Sequence, residues 1–519
     1  MDFRSLAERW LELDPDPESQ NELRALLDDP EALAERFAGR LSFGTAGLRG
    51  PRRAGPNGMN ALVVMQSALG LARYLKKNFV NPSVVIGYDA RAQGQDFARR
   101  SAAVLQGAGV ETHLLPRALP TPVLAYVHRA LNSTAAIMVT ASHNPPGDQG
   151  YKVYLGGAQI IAPSDKAIAA EIDAVAAEAA PFVLSDAYQP VAESHITAYV
   201  HRVAQLITAP PAPLNYVYTA LHGVGTATLL AALGQAGLNP PTLVRAQCDP
   251  DPTFPTVAFP NPEEAGALDL AQATAAEVGA DLIIANDPDA DRLAVALPGP
   301  GGWQRLSGNQ IGLLLGWAAA RSGRKGVLAT TLVSSPLLAE VAKRFGLGYQ
   351  ETLTGFKYLG RVDRLLFAYE EALGYLVNPQ MVHDKDGIAA ALALLNLQLE
   401  LQAEGKTLAD HWQEFVATFG ASASGQVAKR FPSLAEAQAA MQQVRAAPPT
   451  EIAGRPVRAV KDYRDDPHWA SDILRLDLDG ARLLYRPSGT EAKLKIYLDV
   501  SGPDEAHCAE YLRELEAAL

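Results

Sequence analysis

Short apolar runs recur along this chain, and each ends abruptly in polar or turn-forming residues. Val84-Val85-Ile86-Gly87-Tyr88 opens into Asp89-Ala90-Arg91, and Ala135-Ala136-Ile137-Met138-Val139 opens into Thr140-Ala141-Ser142-His143-Asn144-Pro145-Pro146-Gly147. The same break follows Leu282-Ile283-Ile284-Ala285-Asn286 at Asp287 and Leu365-Leu366-Phe367-Ala368-Tyr369 at Glu370. Between such runs lie segments with helical spacing, among them Met65 to Lys76, Gln95 to Gly107 and Pro336 to Phe345. This alternation predicts α/β domains with mixed, mostly parallel sheets. In open sheets of that kind, ligands bind outside the carboxyl ends of the strands, where these polar loops fall.

A chain of 519 residues is too long for one hydrophobic core, which predicts three or four domains. Ala209-Pro210-Pro211-Ala212-Pro213 is a proline-dense break, and the character changes again after Ala421-Ser422-Ala423-Ser424-Gly425. These breaks divide the chain into 1–208, 209–305 and 306–420, all α/β, and a smaller α+β domain, 421–519. Residues 1–40 read as helices, and Ser164 reads as the N-cap of a long surface helix reaching Ala180. A formal charge of −12 argues against nucleic-acid and membrane partners, while leaving room for a small anionic substrate met by a local basic cluster. Cys248 and Cys508 fit no disulfide or zinc framework. The amino terminus has no signal-peptide core and no run is apolar enough for a membrane span, so a cytoplasmic location is expected.

Four loops carry chemistry. In the first, Pro145, Pro146 and Gly147 break the strand and present the Ser142 hydroxyl on a tight turn, with His143 beside it and Lys152 ten residues on. That serine fits a nucleophile or phosphoryl carrier, and it equally fits an ordinary turn. Asp287-Pro288-Asp289-Ala290-Asp291-Arg292 sets three carboxylates at alternate positions, a pattern for a hard divalent cation. An EF-hand is excluded, because Arg292 stands where Gly is required and Pro298 where Glu is required. Phe43-Gly44-Thr45-Ala46-Gly47-Leu48-Arg49-Gly50 crowds three glycines around Arg49, fitting either a phosphate grip or a flexible connector. Arg486-Pro487-Ser488-Gly489-Thr490-Glu491 offers a guanidinium, two hydroxyls and backbone N–H groups, a nest for a phosphate or a plain hairpin turn. Glu370-Glu371 fits sugar contacts or acid–base work, or else a helix start or solvated turn, and the cationic side chains of His383-Asp384-Lys385-Asp386-Gly387 fit the same site or solvated charges.

Taken together and in this order, the loops resemble those of the α-D-phosphohexomutase superfamily, the phosphoglucomutases and phosphomannomutases. Thr140-Ala141-Ser142-His143-Asn144-Pro145 is the most specific part, followed by Asp287-x-Asp289-x-Asp291-Arg292. Thr354-Gly355-Phe356-Lys357 and the loops at Arg49 and Arg486 most resemble the branch of bacterial phosphoglucomutases and animal phosphopentomutases. The resemblance implies three related α/β domains and a smaller fourth around a central cleft. It implies Ser142 as the phosphorylated residue, which with Asp287, Asp289 and Asp291 binds Mg²⁺, and Arg49, Lys152 and His143 beside the reacting centre. Arg292, Thr354, Gly355, Lys357, Glu370, Lys385, Arg486, Ser488, Gly489 and Thr490 are implied as substrate-binding. The implied reaction interconverts sugar 1-phosphate and sugar 6-phosphate, glucose foremost and mannose or pentose as alternatives, with a sugar bisphosphate as primer. A monomer or weak dimer is expected. Three positions depart from the family pattern: Ala372 for Ser, Gln149 for Asn, and Gly58 for Arg. The rival classes are a phosphatase with Asp287 as nucleophile and a non-catalytic sugar-phosphate sensor.

Overall fold

The computed structural model describes residues 2–44, 47–467, 469–488 and 492–519. They form two compact units, Met1–Leu306 with Gly374–Leu399, and Ser307–Leu373 with Glu400–Leu519.

The first unit begins with helices Phe3–Leu13, Pro17–Ala25 and Pro30–Phe37, each capped by an aspartate (Asp2, Asp16, Asp29) that accepts a first-turn N–H. Their apolar faces, through Trp10, Leu23, Leu33 and Phe37, join the core of a seven-stranded sheet. Six of its strands run in the spatial order Leu48–Pro51, Asp148–Leu155, Ala135–Val139, Ser83–Tyr88, Glu111–Leu114, Gln189–Pro190. The last four of these are mutually parallel, and the first two are antiparallel additions. Every residue of Ala135–Val139 is buried, as an unbroken apolar strand requires. Helix Ala61–Asn78 begins earlier than its apolar spacing predicts, because Asn60 caps it by accepting the Val63 N–H at 3.0 Å. Ser164 is not an N-cap: Pro163 holds that position and Ser164 is the first residue of helix Ser164–Glu178.

A five-stranded sheet in the same unit runs Gly302–Arg305, Ala294–Gly299, Leu282–Ala285, Tyr216–Thr219, Thr242–Leu243. Its last three strands are parallel and its first two antiparallel.

In the second unit, Gly348–Thr352, Val327–Thr331 and Leu365–Glu370 pair in parallel, and helix Gly308–Arg321 starts from a Ser307/Gln310 capping box. An all-antiparallel sheet follows in the order Ala421–Arg430, Lys493–Gly502, Ala481–Pro487, Leu474–Leu478, Arg455–Asp462, Glu451–Ile452. Leu332 and Val333 from the parallel part pack with Tyr463, Ile473 and Leu484 from the antiparallel part. Beside them the buried Arg482 guanidinium bonds to Glu351 at 2.6 Å and lies 3.3 Å from Asp499. Three α/β domains with mixed sheets and a β-rich carboxy-terminal domain are thus the class the sequence predicts. No described helix is long and apolar enough to cross a membrane, and both cysteines are buried and unpaired.

His128, on helix Thr121–Ala130, is buried with its Nε2 accepting the Gly157 N–H at 3.0 Å and its Nδ1 2.7 Å from the Ser133 hydroxyl. Burial, with Arg129 and His383 adding to it, pushes this imidazole down to about 4 from 6.5. Between these values the unfolded chain binds the extra proton, so its share of stability is full above pH 6.5 and is lost as the pH falls toward 4. We expect the melting temperature of the first unit to drop across that window and the drop to be shallower in His128→Gln. Parallel curves for the two proteins would assign the acid sensitivity elsewhere.

Candidate active site

Ser142 follows the buried strand Ala135–Val139 and adopts φ +53, a left-handed conformation that residues other than Gly rarely take. Thr140 sets this turn: its Oγ1 accepts the Ser142 N–H at 2.8 Å and donates to Asp89 Oδ2 at 2.6 Å. From the neighbouring sheet of the same unit, strand Leu282–Ala285 delivers Asp287, Asp289 and Asp291 to the same place. The Ser142 hydroxyl donates to Asp287 Oδ2 at 2.8 Å, and the His143 Nδ1 lies 3.3 Å from Ser142 Oγ and 4.0 Å from that carboxylate. Two loops 145 residues apart in sequence therefore meet.

Two glycines let other segments of backbone close on the aspartate loop. A Cβ on Gly223 would lie 2.3 Å from Pro288 Cα, and one on Gly387 2.2 Å from the Arg292 carbonyl oxygen. Gly223 and Gly225 thus serve packing against the aspartate loop, at Pro288 and Ala290.

All three aspartates are fully buried, and a carboxylate oxygen from each lies within 4.8 Å of the others. Lys152 Nζ donates to Asp289 Oδ2 at 2.6 Å and Asp291 Oδ2 at 2.9 Å, and Lys385 Nζ lies 3.1 Å from Asp291 Oδ2. Thr121 donates to Asp289 Oδ2 at 2.6 Å. Burial and then its two carboxylate neighbours push Asp287 well above its ordinary value. Burial acts on Asp289 in the same sense, but Lys152 and Thr121 outweigh it and hold Asp289 far below. Lys152 is likewise raised, the two carboxylates prevailing over burial, so it stays an ammonium. Burial, followed by Arg292 and Arg49, drives His143 far down, leaving a neutral imidazole.

Asp289 Oδ1 and Asp291 Oδ1 have no hydrogen-bond partner among the described residues. Buried carboxylate oxygens without donors are costly unless a cation takes them. The donor set, all oxygen and beside a serine hydroxyl, fits a hard divalent ion.

The expected residues distribute as follows. Arg49, Ser142, His143, Lys152, the three aspartates, Arg292 and Lys385 belong to the first unit and converge. Exposed Arg49 donates to Asn144 Oδ1 at 3.1 Å, and the Arg292 Nε lies 3.9 Å from Asp287 and 3.8 Å from Asp291. Thr354, Gly355, Lys357, Glu370, Arg486 and Ser488 belong to the second unit. Gly355, at φ +111, starts helix Phe356–Leu359, and the Lys357 ammonium lies 5.1 Å from the Tyr358 ring centre. Glu370 is buried at the end of its strand, while Glu371 accepts from Ser334 Oγ at 2.8 Å. Arg486 is the penultimate residue of strand Ala481–Pro487, opposite Lys495, and the Ser488 N–H donates to the Lys493 carbonyl at 2.9 Å. Gly489 and Thr490 lie outside the described residues, as do Thr45, Ala46 and Glu491.

Sequence reasoning assigned no role to Asp89, Arg91, Thr121 or Asp384. Asp89-Ala90-Arg91 was visible as the polar tip of a buried strand, but Thr121 gives no local signal. Asp384 accepts from Tyr154 at 2.7 Å and Gln159 at 2.8 Å, contacts that only folding creates. At Gly58, a Cβ would sit 2.4 Å from the Arg53 carbonyl oxygen, so this loop path excludes the arginine of the family pattern.

Comparison with known proteins matches residues 40–179, 196–301 and 307–419 to the phosphoglucomutase/phosphomannomutase α/β/α domains I, II and III. A Haemophilus influenzae protein named "probable phosphomannomutase" is 52% identical over 89% of this chain and 97% of its own length. A phosphoglucomutase of Staphylococcus aureus is 34% identical over 91% of each chain. The crystal structure of a phosphoglucomutase/phosphomannomutase family protein from Burkholderia thailandensis superposes with a TM-score of 0.71, covering 92% of this chain and 97% of that one; at 19% identity it speaks for the fold alone. The chain belongs to the phosphoglucomutase/phosphomannomutase family of α-D-phosphohexomutases.

Proposed function

We propose that this chain interconverts a hexose 1-phosphate and a hexose 6-phosphate through a phosphorylated Ser142 and a bisphosphorylated sugar. The observation carrying this reading is the Ser142 hydroxyl 2.8 Å from Asp287 at a buried cluster of three aspartates. In the forward half-reaction, the bond from phosphorus to Ser142 Oγ breaks as a bond forms to a sugar hydroxyl oxygen. The hydroxyl proton leaves to a base, and the second half returns the other phosphoryl to Ser142. A sugar bisphosphate is the primer that first loads the serine.

Asp287, Asp289 and Asp291, with Ser142, would hold Mg²⁺, which when bound neutralises charge on the moving phosphoryl group. Arg49 and Arg292 add fixed positive charge, the larger part of what such a transfer asks of a protein. Lys152, held as an ammonium by two carboxylates, serves as a further cation. Neutral His143 has a lone pair to offer the hydroxyl proton, and Lys152 as an ammonium does not. Thr354, Gly355, Lys357, Glu370, Lys385, Arg486, Ser488, Gly489 and Thr490 would hold the sugar and its distal phosphate. Four domains, 1–208, 209–305, 306–420 and 421–519, and a cytoplasmic location complete the reading. The branch resemblance at the arginine loops favours glucose. The 52% identity to a protein named as a phosphomannomutase favours mannose as the second reading. An Asp287-nucleophile phosphatase is disfavoured, because Asp287 Oδ2 is engaged by the serine hydroxyl.

In a panel of sugar 1-phosphates primed with the matching bisphosphate, wild type should turn over the glucose or mannose substrate. Ser142→Ala should lose at least about a thousandfold in rate, as removal of a covalent carrier does. An unchanged rate in that variant would refute the mechanism. Chelation should lower the melting temperature, with Mg²⁺ restoring it in wild type but not in Asp289→Asn. Identical melting with and without the ion would remove the metal from this site.

A further inference from the structure

Few bonds within the segment from Ser142 to Asp148 hold its shape: Asn144 Nδ2 donates to Asp148 Oδ2 at 2.8 Å, and from outside the Arg52 N–H donates to the Gly147 carbonyl at 2.8 Å. Pro145 and Pro146 carry no N–H, and the backbone bonds within the segment and its hinge are Asn144 N–H to the Ala141 carbonyl and Asp148 N–H to the Pro145 carbonyl. Ser142 itself sits at φ +53, a conformation that persists only where the surroundings over-determine it. Beneath the segment lies one side chain from the adjacent strand's end, Arg91, which is buried. Its Nη2 donates to the carbonyls of Ser142 at 2.7 Å and Asn144 at 2.5 Å. Its Nη1 donates to those of Pro145 at 2.9 Å and Asp148 at 3.2 Å. The Nε lies 3.5 Å from Asp89 Oδ2, the carboxylate that also takes the Thr140 hydroxyl. Phe254 covers the guanidinium, its ring centre 5.0 Å from the central carbon.

Resting on the phosphoserine reading, we infer that Arg91 is the positioning residue of the serine loop, fixing the site of phosphoryl transfer through four main-chain carbonyls without touching substrate. A planar fork of donors spans four oxygens at once, which a lysine ammonium on a flexible stem does not. By drawing the Ser142 carbonyl inward, Arg91 also turns the His143 N–H the opposite way across the planar trans peptide. Asp89 balances the buried charge, and through Thr140 it ties the loop's first residue to the same ion pair. The arrangement fixes Ser142 Oγ relative to Asp287, and transfer rates are steep in such placement.

The test compares wild type with Arg91→Lys and Arg91→Ala. In Arg91→Lys, kcat should fall about a hundredfold, the loss expected from an ångström-scale misplacement, while KM for the sugar phosphate changes little. In Arg91→Ala, millimolar guanidinium should restore part of kcat, a recovery that a general loss of folding would not show. Retention of more than a third of wild-type kcat by Arg91→Lys, or no recovery of folded Arg91→Ala, overturns the inference. Hydrogen exchange separates this claim from the mutase reading. The amides of Ser142, Asn144 and Asp148 should exchange at least about tenfold faster in Arg91→Lys, whatever substrate is used. Equal protection overturns the positioning role even in an active mutase, and an inactive wild type with the expected exchange overturns only the mutase reading. Should neither variant fold, spectra of wild type carrying labelled arginine decide. A slowly exchanging set of Nη protons assigned to Arg91 supports the clamp, and freely averaging ones reject it.

Discussion

Three carboxylates with no solvent exposure converge at one strand end, and the architecture around them is arranged to make that charge tolerable. Unpaired, each would favour protonation or would not stay buried. Lys152 and Lys385 come from different parts of the chain to oppose Asp289 and Asp291, and Arg292 sits within 4 Å of two of the three. Asp287 receives the least compensation, and it is the one the serine hydroxyl meets. Two carboxylate oxygens remain without donors among the described residues, which is where a divalent ion would complete the neutralisation.

Neutralisation at such short range requires main chain to approach main chain. The loops at Gly223 and Gly387 close on the aspartate segment where no Cβ fits, and the Val224 N–H and the Gly387 N–H donate to the Pro288 and Ala290 carbonyls. On the serine side the same task falls to a side chain, because a proline-rich turn has few backbone bonds to hold it. Arg91 there does for carbonyl oxygens what the lysines do for carboxylates. Buried cations thus hold both halves of the site, one through the main chain and one through the side chains.

The second unit repeats this economy in another form. Arg482, almost without exposure, bonds Glu351 and the Ser334 carbonyl, and Ser334 in turn holds Glu371 beside the proposed sugar contact Glu370. The ion pair between buried Arg482 and half-buried Glu351 therefore ties the antiparallel sheet that bears Arg486 to the parallel sheet that bears Glu370, assisted by the apolar cluster around Tyr463. Replacing Arg482 would leave the buried Asp499 and the half-buried Glu351 without their cation, which makes this side chain a strong constraint on how these two parts stand together.

Local sequence by itself determined the strands that end at Tyr88, Val139, Ala285 and Glu370, since an unbroken apolar run that stops at polar or turn-forming residues admits few other conformations. It determined the serine turn and the aspartate loop for the same reason, and the order of these motifs carried the family. Boundaries set by capping, as at Asn60, or lost by it, as at Ser164, depended on contacts just beyond the apolar pattern. Whether Ser142 was a carrier or an ordinary turn, and whether Arg49 gripped an anion or solvent, stayed open from local chemistry. Only the tertiary structure brought Asp287 to the serine across 145 residues, set Lys385 against Asp291, and placed Arg91 under four carbonyls. The physical reason is range: turn and strand preferences act over a few neighbouring residues, whereas the compensation of buried charge is settled by whichever groups folding carries within a few ångströms.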